Sequence, residues 1–268
     1  MELGIAGSTA VISGGSTGIG KAAAAALLAE GAGVVLLART KSTLDETVAE
    51  LQALGHPGPV VGIQADVTDR ASVDAAARQI ELEFGSVQIL VIAAGHRMRR
   101  LDRQLFWDDG DWAADLDVKT VGMLRVIRAL HPLLDKTGAG RIVNIGGVAG
   151  ETVWEGALTH GLNNAAMHHA TRYLARDLAP EGITVNAVVP GLVATEWRGG
   201  WADAAAGKAG KTTEEFLDAY LAKLGVLLGR WGESAEVAEA VAFLASRRAG
   251  YITGTSLIVD GGITVNAL

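Results

Sequence analysis

The residues with the clearest chemical meaning come early in the chain. Ser13-Gly14-Gly15-Ser16-Thr17-Gly18-Ile19-Gly20 ends a short apolar run and opens an Ala-rich stretch of helical character. Glycines in such a turn permit positive φ, let backbone approach a pyrophosphate and allow close helix–strand contact. The helix N-terminus behind them offers unpaired N–H groups to an anion. The chemistry implied is the cradling of a dinucleotide, with Gly14, Ser16, Thr17, Gly18, Ile19 and Gly20 as candidate contacts. Its place between a first strand and a first helix separates this turn from a merely tight one. Metal chemistry has little to work with. The chain has no cysteine, and His168 and His169 are not spaced with His160 as convergent ligands, so no metal site is expected.

Such a turn needs a sheet to hold it. Short apolar runs at Thr9–Ser13, Gly33–Leu37, Val60–Gln64, Gln88–Ile92, Arg141–Ile145, Ile183–Val188 and Ser256–Val259 read as strands. Between them, Gly18–Glu30, Ser42–Leu54 with Ser42 as N-cap, Arg70–Phe84, about Asp111 to Leu134, Leu158–Ala179 and Ser234–Ala245 read as helices. Continuously apolar strands separated by helices predict an α/β fold: a single Rossmann-like, doubly wound parallel sheet of about seven strands covered on both faces. No linker or repeat divides residues 1–268. One segment breaks the rhythm. Gly191–Gly232 carries Trp197, Trp201, Tyr220 and Trp231, and it follows a strand end, where ligands bind in such folds. Residues 192–232 are therefore expected to form a helical substrate lid.

Composition narrows the function classes. A formal charge of −7 argues against a nucleic-acid partner. The basic cluster Arg97, Arg99, Arg100 and Arg103 is followed by Asp102, Asp108, Asp109 and Asp111 and reads as a solvated loop. No apolar run reaches the ~20 residues of a membrane span, and no signal peptide opens the chain. A cytoplasmic protein acting on a small molecule is expected.

The spacing Gly14-x-x-x-Gly18-x-Gly20 resembles the cofactor turn of the short-chain dehydrogenase/reductase family, and the resemblance runs over essentially the whole chain. Asp66-Val67 resembles the pair that holds the adenine. Ala93-Ala94-Gly95 resembles the family's Asn-Asn-Ala-Gly element, with Ile92 and Ala93 where the asparagines stand. Pro190-Gly191-Leu192-Val193-Ala194-Thr195 resembles the segment that grips the nicotinamide carboxamide, which implicates Pro190, Gly191, Val193 and Thr195. Gly182–Asn186, and Ile252-Thr253-Gly254 through Asp260-Gly261-Gly262, are also family-like. Ala38 stands where NAD-preferring members carry an acid, and Arg39-Thr40-Lys41 follows. A cation without an acid suits a 2′-phosphate, so NADP(H) is expected over NAD(H). The resemblance also implies a homo-oligomer, commonly a tetramer.

The family's chemistry uses a serine, a tyrosine, a lysine one helical turn after it, and an asparagine. Here the matching positions hold Gly147, His160, Asn164 and Lys119, and no Tyr-x-x-x-Lys occurs anywhere. Lysine and asparagine have exchanged places, and in the family these side chains lie close together. A remade site is therefore expected. His160 would donate a proton or a hydrogen bond, with an ordinary pKa near ~6.5 lowered by the Lys119 cation, and Lys119 and Asn164 would support it. Gly147 has no side chain to offer and is expected to enlarge the pocket. His96, Glu151, Trp154, Trp197 and Trp201 (with Glu155) are the other expected substrate-side residues.

The leading expectation is an NADP(H)-dependent oxidoreductase acting on a bulky or activated carbonyl or enone. Losing a general acid removes a rate factor of ~10²–10⁴ that an activated substrate partly restores. One alternative is a non-redox dehydratase, isomerase or cyclase using His160 as acid/base. The other is an inactive binding or partner subunit.

Overall fold

The fold was analysed in a computed structural model that describes residues 2–95 and 103–266, apart from the side chains of 197–200 and 266. The first half alternates β1 (Thr9–Ser13), α1 (Gly18–Ala29), β2 (Gly33–Ala38), α2 (Lys41–Ala53), β3 (Val60–Gln64), α3 (Arg70–Phe84) and β4 (Ile89–Ile92). The chain continues through α4 (Asp109–Leu116), a π-helical turn (Asp117–Val121), α5 (Gly122–Leu130), β5 (Arg141–Ile145), α6 (Leu158–Leu178) and β6 (Thr184–Pro190). Next come β7 (Val193–Ala194), α7 (Glu196–Ala209), α8 (Thr213–Leu224), β8 (Gly232–Glu233), α9 (Ser234–Ala245) and β9 (Ser256–Val259).

Seven strands form one parallel sheet in the order β3-β2-β1-β4-β5-β6-β9. Its central strands are buried on both faces, which explains why they read as unbroken apolar runs. On one side α1 and α9 meet through small residues, with Ala23, Ala24, Ala238 and Ala242 in a shared core with Leu27, Leu28 and Val241. On the other, α3, α5 and α6 cover the sheet through Ile80, Met123, Ile127 and Met167. The strand order reverses between β1 and β4, and in such sheets the ligand crevice opens there.

Two helices differ from expectation. The second begins at Lys41 rather than Ser42. Thr40 takes the N-cap position without a side-chain cap bond, and Lys41 pairs with Asp45 across the first turn. The long helix expected from Asp111 is capped earlier, where the Asp108 carboxylate accepts from the Asp111 N–H at 3.0 Å. It is then interrupted at Asp117–Val121 by a π turn, where the Gly122 N–H bonds the Asp117 carbonyl. Gly122 sits so close to Val67 that a Cβ would lie 2.9 Å from Cγ2. Helix and sheet rim therefore approach directly beneath the expected adenine pair.

Residues 192–232 form the helical excursion after β6. The short parallel pair Val193↔Gly232 and Ala194↔Glu233 closes its base. Trp201 lies edge-on to Phe216 at 5.5 Å and to Tyr220 at 5.0 Å, and Tyr220 stacks on Trp231 at 6.4 Å. This aromatic cluster joins α7 and α8 to a small core with Val148, Leu192 and Ile263. No described helix is long and apolar enough to cross a membrane.

Candidate active site

A cleft of about 450 Å³ opens over the carboxyl ends of the central strands, within the range of small-molecule sites. The glycine turn forms one end. Gly14 has φ +71°, and a Cβ there would lie 2.6 Å from the Ala94 N; at Gly20 a Cβ would lie 2.2 Å from the Gly14 carbonyl oxygen. These two glycines are what let β1, β4 and α1 converge. Ser16, Thr17, Gly18 and Ile19 face the same space, and Thr47 on α2 holds the turn by donating to the Ser16 carbonyl at 2.8 Å.

The rim at the end of β2 carries Arg39 and Thr40, both exposed. Asp66 and Val67 stand beside them. The Thr68 N–H and hydroxyl donate to the Asp66 carboxylate at 2.9 and 2.7 Å. Burial opposes ionisation of Asp66, but those bonds and the charges of Arg39 and Arg125 outweigh it and hold the carboxyl below its usual range. Ala93, Ala94 and Gly95 line the centre, and Pro190, Gly191, Val193 and Thr195 the far wall. A Cβ on Gly191 would lie 2.8 Å from the Asp260 Cα, so this segment turns away from β6 only because it has none. Together these residues fit a dinucleotide: a backbone cradle, a rim cation, an adenine-side carboxylate and a nicotinamide-side wall.

The central group consists of Lys119, Asn164 and His160. The π turn presents Lys119, whose Nζ donates to Asn164 Oδ1 at 2.7 Å and reaches the Gly146 carbonyl at 3.4 Å. Asn164 Nδ2 donates back to the His160 carbonyl one helical turn earlier, at 2.8 Å. The exchanged pair is thus in direct contact, and His160 lines the cleft above it. Burial, offset in part by Asp115, brings Lys119 down to about 8. Burial first and the Lys119 charge second bring His160 down to about 3. The imidazole therefore stays neutral at physiological pH; the Lys119 charge lowers it as expected, and burial is the larger cause. An uncharged imidazole there can offer a hydrogen bond but has no imidazolium proton to give.

Other expected residues fare differently. Gly147 lines the cleft. A Cβ there would lie 3.1–3.3 Å from the Asn164 carboxamide, which already fills that space. Trp154 and Trp201 line the cleft. Glu151 does not: it is exposed and lies 3.5 Å from His168 Nδ1, behind the site. Glu155 pairs with Lys223 of α8 at 3.2 Å. His96, Arg97, Arg99, Arg100 and Asp102 lie outside the described residues, as does the Trp197 side chain. Arg103 stacks on Phe106 at 4.7 Å. Among the described residues no acidic or histidine cluster could hold a metal.

Three features lie outside the residues expected at the site, although the aromatics of residues 192–232 were noted. Tyr220 and Trp231 complete the aromatic wall. The buried Gln104 side chain accepts from the Thr159 N–H at 2.9 Å and caps the start of α6. The Glu196 carboxylate accepts from the Gly18 N–H at 3.1 Å, across the mouth of the dinucleotide turn. Aromatic density in the lid signalled the first; no periodicity signals the other two.

The family model described as enoyl-(acyl carrier protein) reductase matches residues 14–264. Galactitol 2-dehydrogenase (L-tagatose-forming) of Cereibacter sphaeroides is 37% identical over 261 residues, covering 97% of this chain and 96% of that protein. The structure of L-sorbose reductase from Gluconobacter frateurii, complexed with NADPH and L-sorbose, superposes with a TM-score of 0.91 at 28% identity, covering 98% of both chains. An NADPH-bound short chain oxidoreductase from Pseudomonas aeruginosa PAO1, described as containing an atypical catalytic center, gives a TM-score of 0.85 at 28% identity, covering 95% of this chain and 96% of that one. With a cofactor cleft, a seven-stranded parallel sheet and relatives along its whole length, the chain belongs to the short-chain dehydrogenase/reductase family of oxidoreductases.

Proposed function

We propose that this protein is an NADP(H)-dependent oxidoreductase with a remade catalytic group, acting on an activated carbonyl or enone of bulky, largely apolar character. The observation that carries the reading is the Lys119–Asn164 contact at 2.7 Å in the wall of the cleft that His160 lines. The nicotinamide, when bound, supplies or accepts the hydride. The chain's own residues do the rest. The neutral His160 ring donates a hydrogen bond to the substrate oxygen and steadies its growing negative charge. Lys119, at about 8, is charged at neutral pH and adds to that field. It also holds the proton that is most readily released. Asn164 keeps the ammonium in place. A neutral imidazole is a weaker acid than the group it replaces, so a substrate already polarised by conjugation suits the site. Trp154, Trp201, Tyr220 and Trp231 offer it an apolar wall.

Arg39 on the rim, with Ala38 in place of an acid, supports NADP(H). The NADPH complexes of the L-sorbose reductase and of the Pseudomonas oxidoreductase point the same way. The test is a fluorescence titration of nucleotide-free protein with NADPH and NADH, followed by a turnover screen of conjugated enones and quinone-like rings. Arg39→Glu should weaken NADPH binding by about tenfold or more and leave NADH unchanged. His160→Phe should abolish turnover while retaining the fold. Binding of neither nucleotide, or an unchanged rate in His160→Phe, refutes the reading.

A further inference from the structure

The Glu196–Gly18 contact joins two parts of the molecule that the fold does not otherwise require to touch. Gly18 is the first residue of α1, and the helix supplies no cap of its own. Thr17 stands at the N-cap without a side-chain bond, and the first turn holds no acid. The first intrahelical bond there is Lys21 N–H to the Thr17 carbonyl, so the N–H groups of Gly18, Ile19 and Gly20 face outward. Glu196, 178 residues further on, places both carboxylate oxygens against the first of them, at 3.1 and 3.4 Å. The preceding residue reinforces the approach: Thr195 Cγ2 lies 3.3 Å from where a Gly18 Cβ would stand.

Glu196 is also the first residue of α7. Trp201 follows five residues later, about 7.5 Å along the same helix, and is locked to Tyr220 and Trp231. The strand pair at Val193–Ala194 and the Ser234 hydroxyl, which donates to the Ala194 carbonyl at 3.3 Å, fix the base of the helix. Glu196 and Trp201 thus sit on one short helical element, so a displacement of its first turn, as distinct from a rotation of the Glu196 side chain alone, moves the aromatic wall.

We propose that Glu196 is an internal stand-in for the cofactor phosphate, a carboxylate that must leave the Gly18 N–H when a dinucleotide arrives and so couples cofactor binding to the position of the substrate wall. The proposal rests on the dinucleotide reading above. A carboxylate and a pyrophosphate cannot both sit at one helix N-terminus without like-charge repulsion, and both compete for the same donors. Cofactor binding then remodels the α7 end of the lid before substrate enters, which imposes an order of binding.

Hydrogen exchange read by mass spectrometry, alongside NADPH titration, tests this on the wild type, Glu196→Gln and Glu196→Ala. In nucleotide-free protein both variants should exchange faster than wild type in the Gly14–Gly20 turn and the first turns of α7. NADPH should bind them roughly two- to fivefold tighter, the range spanned by one exposed charge at a helix N-terminus. In the wild type, NADPH should raise exchange at the start of α7. Unchanged exchange together with unchanged affinity overturns the proposal. If the wild type binds neither NADPH nor NADH, the dinucleotide reading falls and the gating role with it, whereas the nucleotide-free exchange still decides whether Glu196 tethers the lid.

Discussion

Acidification should destabilise this protein through one imidazole. In the unfolded chain His160 takes a proton near its ordinary value of 6.5; in the fold it resists until about 3. Between those values the unfolded state binds a proton that the folded state does not, so stability rises with pH through that window. The contribution is complete above the unfolded value and is lost as pH falls toward the folded one. At about pH 4.5 the chain is roughly two pH units below the unfolded value, and at about 1.4 kcal/mol per unit the ceiling is about 2.7 kcal/mol. The ring lines an open cleft, and screening trims the expected loss to roughly 1.5–2.5 kcal/mol. Carboxylates also titrate here, so the measurement is a difference. Urea unfolding is run at about pH 7 and about pH 4.5 on the wild type and on His160→Gln, whose side chain does not titrate. The wild type should lose more stability than the variant by that amount. Equal losses, or an imidazole NMR signal titrating near its ordinary value, would refute the picture of a buried neutral donor.

Two further outcomes follow from the same geometry. Lys119→Met removes the cation that acts on His160, so the ring's titration by NMR should move up yet stay below the ordinary histidine value, because burial is the larger cause; turnover should fall by ~10²–10⁴, and a return to the ordinary value would show that burial had been overstated. Gly20→Ala forces a Cβ to within 2.2 Å of the Gly14 carbonyl oxygen, which should destabilise by ~1–3 kcal/mol in thermal unfolding and abolish NADPH binding; a variant that binds normally would mean that the turn has slack the structure does not show.

How far the sequence could be read depended on the range over which each signal acts. The Gly14–Gly20 turn was legible because backbone sterics demand glycine at fixed spacing, and the strands because continuous apolar runs mark a sheet covered on both faces. The Lys119–Asn164 exchange was legible only through family resemblance; nothing local ties position 119 to position 164. The π turn that presents Lys119 was not legible, since such turns are rare single-turn features with no residue pattern that sets them apart from the α-helix around them. The extent of burial around His160 was missed because burial is a property of the surrounding walls, which come from segments far apart in sequence. The tight fit around Gly147 was hidden for a related reason. A missing side chain looks like empty space until the neighbour that fills it is known.

That neighbour gives the site a history that is hard to reverse. Along the strand-to-helix turn after β5, three glycines face α6. A Cβ on Gly146 would lie 2.6 Å from His168 Nε2, one on Gly147 3.1 Å from Asn164 Nδ2, and one on Gly150 2.7 Å from the Ala165 N. At each bare position a neighbour already stands close to where a side chain would begin. A serine restored at 147 would meet Asn164 and press on its bond to Lys119 before it could serve any substrate. A lysine restored at 164 would bring a second cation against Lys119 while that residue remained. Single substitutions toward the family's usual set would therefore pass through strained or like-charged intermediates.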